Sequence, residues 1–391
     1  MKSGRMQSSK SVSWADTAER DWFNTFFMVF FPIAAVLATG LYFYLQDITT
    51  SQIALFVFFY FATGLSITAG YHRLFAHRGY EAHPIIQFIY LVFGAAAFQN
   101  SALKWCRDHR VHHLHVDNED DPYNINQGLW FAHVGWVCRQ GNPKNFSHLH
   151  RDLTTNKLVA WQDRNFMLIG VTVGFVLPTL LGGLLGSALG GFALAGLLRT
   201  TLVHHFTFFI NSLSHYWGQQ TYTDRNSARD NFFLAFFTYG EGFHNFHHLF
   251  SNDYRNGIRW FDFDPTKWAI STLAFFGFAS QLKKTPQIQI LRARLNMRKV
   301  KLERKISCSE TLQNWSTKLD QLKSKVEQAY LEMGELREHY RREYQAFKAE
   351  KSAAGKVKIE ELRADLQAAR AEYKLAMQQW RMCTSALMKA V

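Results

Sequence analysis

Four long apolar runs, set in two close pairs, constrain this chain more than any other feature. They cover residues 22–45 and 52–70, then 166–187 and 189–210. Each approaches the roughly 20 residues that a helix needs to cross the hydrocarbon of a bilayer. The links inside each pair are very short and carry no Lys or Arg. Basic residues outside the runs fall in the N-terminal segment, in the central region 71–165, or after the fourth run. Positive charge is retained on the cytoplasmic side, which predicts that both termini and the central region lie there, with the two short turns outside. Two further apolar stretches, residues 84–98 and 268–279, are too short to span comfortably and read as interfacial or re-entrant helices. The expected fold class is all-α integral membrane, with four transmembrane helices and a cytoplasmic helical cap.

The net charge of +13 is uneven: from Lys283 onward there are 24 Lys/Arg against 13 Asp/Glu. The slightly negative mean hydropathy therefore averages two unlike parts. A basic surplus beside membrane spans fits an anionic lipid surface better than nucleic acid, so no nucleic-acid partner is expected. Within this tail, Trp315, Leu319, Leu322, Val326 and Ala329 follow a 3-4 alternation. A second such run, including Ile359, Leu362, Leu366, Tyr373 and Trp380, follows a break at SAAG, residues 352–355. These are two charged helices with heptad seams, to be buried in an antiparallel hairpin or a coiled-coil oligomer. The chain thus divides into a polar N-terminus (1–22), a membrane domain (23–283) and a basic helical extension (284–391). The polar N-terminus has no secretory pattern. Only Cys106, Cys138, Cys308 and Cys383 occur, with no CxxC. That argues against a disulfide framework and fits a reducing compartment.

The chemistry lies in the histidines. Of 17, nine sit where the apolar runs end or between them. His72 and His77 (HRLFAH) follow the second run, and His109, His112 and His113 (HRVHH) lie in the central region. His215 (NSLSH) follows the fourth run, and His244, His247 and His248 (HNFHH) come after it. In each HxxHH the spacing i, i+3, i+4 puts all three rings on one helical face. With four spans, all nine emerge on one side of the membrane. His72 and His77 lie about 140° apart on an ideal α-helix, so the helix is expected to fray or kink between them. Neutral imidazole is a ligand for iron, zinc or copper. Neither HExxH nor paired cysteines are present, and nine ligands are too many for one metal and about right for two. Asp108, Glu241 and the NEDD run at residues 118–121 suit a second layer that orients the rings. His83, His115, His133, His148, His150, His204, His205 and His339 do not share the pattern.

HRLFAH, HRVHH and HNFHH, set around two pairs of spans, resemble the three-histidine-box membrane di-iron family. More closely, the chain is similar to delta-9 (stearoyl-type) acyl-CoA desaturases over roughly residues 20–280. The matching pieces include GYHRLFAH, FQNSALKWCRDHRVHH, HVGW, NSLSH and GEGFHNFHH. The resemblance implies that the nine histidines ligate two iron ions and that Asn211 reaches one of them through water. It implies that Asn100, Arg107 and Asp108 contact the acyl-CoA headgroup. The family's usual tryptophan three residues before Asn211 is Phe208 here, so that contact does not carry over. The implied reaction is O₂-dependent insertion of a cis double bond into a fatty acyl-CoA, with electrons from an external ferredoxin-like or cytochrome-type donor. No fused haem segment is legible. The basic tail resembles bacterial members, which implies a bacterial inner membrane. The same pattern serves membrane hydroxylases, and acyl chains in phospholipid are the alternative substrate.

Overall fold

The computed structural model describes residues 14–142, 144, 146–306 and 311–390. Helices α1 (Trp22–Leu45) and α2 (Thr50–Ala76) form the first pair of spans. Two shorter helices follow, α3 (Pro84–Ala95) and α4 (Ala102–His115). Helices α5 (Lys157–Leu184) and α6 (Ala188–Tyr216) form the second pair. Helices α7 (His244–Leu249) and α8 (Pro265–Phe275) complete this part of the chain. The fold is an all-α membrane fold, its only described sheet being β1 (Glu81–Ala82) paired antiparallel with β2 (Ala279–Ser280). Three spans run past the apolar segments seen in the sequence: α2 and α6 overshoot at their C-termini, and α5 begins early. Hydropathy registers only the turns in hydrocarbon, whereas the added turns are more polar, and those at the ends of α2 and α6 carry His72 and His215.

Local chemistry sets the boundaries. The Asp21 carboxylate caps α1 by accepting from Asn24 N (2.9 Å), and the Thr49 hydroxyl caps α2 through Gln52 N (3.3 Å). The surface of α1 is largely exposed, with Phe23, Phe26, Val36 and Leu37 facing outward, as a lipid-facing helix requires. Spans α5 and α6 meet closely at Gly182 and Gly191, where a Cβ on Gly191 would stand 2.2 Å from Pro178 O. Small residues let the backbones approach, the usual device where lipid offers no hydrophobic drive between helices. The Gln52 amide donates to Gly182 O (3.1 Å) and Ser187 O (3.2 Å), tying the first pair of spans to the turn of the second.

Helix α3 packs against the C-terminal half of α2 and against α5. Buried Arg199 of α6 donates to Ala96 O (2.6 Å), just past α3, and to Gly174 O (2.8 Å) of α5. A charge inside a span is costly unless backbone carbonyls or ions satisfy it, and here three carbonyls do, Ala195 O included.

The chain forms two compact units, Met1–Gln220 with Asp224–Lys284, and Thr285–Val391 with Thr221–Thr223. The second holds α9 (Gln287–Ile306), α10 (Thr311–Glu350) and α11 (Ala353–Ala390). Helices α10 and α11 fold back as an antiparallel hairpin. The turn is tighter than SAAG suggested: Lys351 takes φ 50°, and the Ser352 hydroxyl caps α11 by accepting from Gly355 N (3.1 Å). Leu319 and Val326 meet Ala376 and Trp380 in the seam, and Leu295 and Leu302 of α9 join the same core. The heptad seams are satisfied within one chain.

Candidate metal centre

The C-terminal half of α2, Ser66–Ala76, is wound as a π-helix. His77 N donates to His72 O (3.0 Å), a bond that closes five residues back rather than four. This corrects the expected fray or kink: a wider turn brings residues five apart to nearly the same side, and π-turns recur at functional sites. The rings of His72 and His77 lie 4.8 Å apart. Ser66 and Thr68 hydroxyls donate to the carbonyls of Ala62 (2.7 Å) and Gly64 (3.2 Å), satisfying the backbone where the winding changes.

All nine expected histidines come together, in two sets. The first holds His72, His77, His109, His113 and His247; the second holds His112, His215, His244 and His248. Within each set the ligand atoms lie within 4.8 Å of one another. Helices α4 and α7 each serve both sets. The i, i+4 pair His109/His113 goes to the first set and His112 to the second, whereas His244/His248 goes to the second and His247 to the first. Two short helices therefore fix the spacing between the sets.

The ring nitrogens meet at coordination distances. Nε2–Nε2 separations are 3.0 Å for His72–His247, 2.7 Å for His77–His109 and 2.9 Å for His113–His247. In the second set they are 3.1 Å for His215–His244, 3.0 Å for His244–His248 and 3.3 Å for His112–His248. Metal–nitrogen bonds of about 2.0–2.1 Å put adjacent ligands roughly 3 Å apart, so these sets fit metal ions. Burial, and then the neighbouring histidines, push His77, His109, His113, His244, His247 and His248 well below the ordinary histidine range. Neutral imidazole, the ligand form, is what this pocket favours.

Behind the rings stands a layer of acceptors. Glu241 Oε2 lies 3.0 Å from His72 Nδ1, and Asp121 Oδ1 lies 2.7 Å from His112 Nδ1. Burial works against the Glu241 charge, but Arg73 and His72 outweigh it and hold the carboxyl at about 2. His112 likewise outweighs the burial of Asp121 and holds it below the usual carboxylate range.

Of the acidic residues expected here, Glu241 and Asp121 take the role and Asp108 and Asp120 do not. Asp108 pairs with Arg107 (2.7 Å), and Asp120 with Lys144 (2.7 Å). Sequence reasoning missed Arg73, fully buried between Glu241 (2.8 Å) and Asp264 (3.0 Å) and also bonded to Tyr254 O (2.8 Å). An arginine inside HRLFAH with no local acid partner was the available signal. It also missed Asp152, which accepts from Arg78 and Arg110 and so joins the end of α2 to α4. Three of the histidines set aside have other partners. His204 Nε2 lies 2.7 Å from Ala97 O, and His205 faces His133 (3.1 Å).

A cavity of about 640 Å³ adjoins the first set, with His72 and His109 in its wall. Asn211, Asn100, Arg107 and Asp108 also line it, as do Lys104 and Lys144. Phe27, Met28, Ile67, Phe98, Phe166 and Phe208 supply apolar wall. One cavity thus combines cations, amides and an apolar lining beside the ring nitrogens, suiting a molecule with an anionic head and an apolar tail.

The fatty acid desaturase family model matches residues 49–274. The chain is 38% identical over 319 residues to a probable acyl-CoA desaturase of Schizosaccharomyces pombe, covering 81% of this chain and 65% of that one. It is 38% identical over 316 residues to acyl-CoA desaturase 1 of Saccharomyces cerevisiae, covering 80% and 60%. It is 34% identical over 284 residues to stearoyl-CoA desaturase 5 of Bos taurus, covering 70% and 82%. The chain spans a little under two thirds of the length of the two yeast relatives it matches.

Proposed function

The chain belongs to the fatty acid desaturase family, and from that premise we propose that it desaturates a long-chain fatty acyl-CoA, inserting a cis double bond, with position 9 as the expected site. The observation that carries the reading is the union of nine imidazoles in two metal-sized sets with a cavity of mixed cationic and apolar lining. In this reading the sets hold two iron ions. With O₂ and two external electrons, such a pair supplies oxidation of an unactivated CH₂–CH₂ unit, chemistry beyond any acid or base in the chain. The balance is one O₂, two electrons and two protons consumed, with one alkene and two waters formed.

The chain's own residues bind, aim and shield. Arg107, Lys104 and Asn100 meet the polar headgroup, and the apolar wall receives the acyl chain and excludes water. His72 and His109 border the cavity, so a methylene lying against them is presented to the first set. Asn211 completes the polar edge of the cavity, from where it would reach a bound metal through water. The electron donor is a separate ferredoxin-like or cytochrome-type protein. The metal sets lie on the cytoplasmic side, with both termini, as the charge distribution predicts. Mass spectrometry of cellular fatty acids, with and without expression of the chain, tests the proposal. New monounsaturated acids with one double-bond position are expected; hydroxylated acids instead would overturn it.

A further inference from the structure

The loop after α4 carries Asp117 and Asp121, two acidic residues with separate tasks. Asp121 accepts from His112, as described. Asp117 reaches across the chain to Ser227: Ser227 N donates to Oδ2 (2.6 Å) and Ser227 Oγ donates to Oδ1 (2.5 Å). Ser227 Oγ in turn lies 2.7 Å from His215 Nδ1. The direction of this chain of bonds is forced. A carboxylate only accepts, so the serine hydroxyl spends its single proton on Asp117. Its oxygen can then only accept from His215, which places the imidazole proton on Nδ1. The lone pair is left on Nε2, the atom 3.1 Å from His244 Nε2 in the second set.

The backbone of Asp117 is itself held in place. It takes φ 65°, a left-handed conformation that costs a non-glycine residue energy and that Asp tolerates better than most. Asp121 Oδ2 accepts from Asp117 N (3.0 Å), and Asn126 Nδ2 donates to Asp117 O (3.0 Å). One loop therefore fixes two rings of the same set, His112 directly and His215 through a serine. The first set is backed from elsewhere, by Glu241 and Arg73.

We infer that Ser227 is a positioning residue for the second metal, fixing the tautomer and aim of His215 through a relay anchored on Asp117. The inference rests on the two-metal reading above. Outer partners of ligating histidines typically contribute about 10–100-fold to metal affinity.

The test titrates purified, metal-depleted protein in detergent with iron(II) under anaerobic conditions, following stoichiometry and the Mössbauer signals of the two sites. Wild type, Ser227→Ala and Ser227→Thr are compared. Ser227→Ala should bind one iron as wild type does and the other about 10–100-fold more weakly, with only one site's signal altered. Ser227→Thr retains a hydroxyl and should restore both. Equal binding by Ser227→Ala and wild type overturns the relay. So does a Ser227→Thr defect equal to that of Ser227→Ala, because the role would then be packing. If Ser227→Ala fails to fold, Asp117→Ala, which removes the acceptor of the serine proton, decides the matter on the same readout: selective weakening of one iron supports the relay, and unchanged binding overturns it. Wild type that takes up fewer than two irons overturns the two-metal reading itself, and the relay with it.

Discussion

Glu241 Oε2 stands 3.0 Å from His72 Nδ1, so the third histidine segment sets a carboxylate against a ring of the first. Glu241→Gln keeps the size of the side chain and removes the charge that Arg73 and His72 share. Weakening of metal binding by about 10–100-fold is expected, with a parallel loss of activity. Metal content at controlled free iron checks this. A Glu241→Gln protein with full metal and full turnover would show that the carboxylate does not orient the ring.

Asp152 is held at about 2: its burial is outweighed by hydrogen bonds from Arg110 and Arg78. A depressed folded pKa means that this stabilisation is complete above the ordinary carboxylate value near 4. It is lost as the pH falls through about 2. Asp152 is partly exposed, so after solvent screening the contribution is on the order of 1 kcal/mol. Asp152→Asn should lower the unfolding midpoint by an amount that stays constant between about pH 5 and 8. A gap that changes across that range would contradict the assignment.

The sequence made the four spans and the nine clustered histidines legible because both are dense local patterns. Apolar runs declare themselves by length, and i, i+3, i+4 histidines by spacing. The partition of these histidines into sets of five and four was not legible, since it depends on α4 and α7 facing both sets at once. Nor was the π-helical end of α2, because winding is decided by burial on every side of residues 66–76. The supporting layer was half visible. Glu241 and Asp121 lie near histidines in sequence, whereas Ser227 and Asp264 meet their partners only through the fold.

The charge distribution predicts the orientation of the spans. A cysteine placed at Thr49, between α1 and α2, should react with an impermeant thiol reagent only from the outer face. One placed at Ser147 should react only from the cytoplasmic face. Labelling of both from the same face would break the predicted orientation.

In this reading electrons come from outside the chain. Purified protein supplied with iron, O₂ and acyl-CoA should stay idle with NADPH alone. It should turn over once a ferredoxin or cytochrome with its reductase is added. Product formed with NADPH and no donor protein would remove the need for a partner.

Arg107 lines the cavity yet already bonds Asp108 through Nε (2.8 Å) and Nη2 (2.7 Å). A guanidinium has five N–H donors, so the pair leaves capacity for a ligand phosphate. Two roles can be separated by their partners. If Arg107 only neutralises Asp108, removing either residue disturbs the same pair and substrate affinity changes little. If it meets a CoA phosphate, the charge-assisted contact is worth roughly 1.5–3 kcal/mol, and Arg107→Ala should raise KM for stearoyl- or palmitoyl-CoA about tenfold or more. Asp108→Ala should then have a smaller effect, because the freed guanidinium still faces the ligand. The kcat should change less than KM in both variants, since neither residue is among the nine metal-facing histidines. Steady-state kinetics on acyl-CoA, beside the same chains esterified in phospholipid, distinguishes the outcomes. An Arg107→Ala enzyme with unaltered KM for acyl-CoA, and equal activity on phospholipid, would move the substrate from acyl-CoA to lipid while leaving the histidine centre as described.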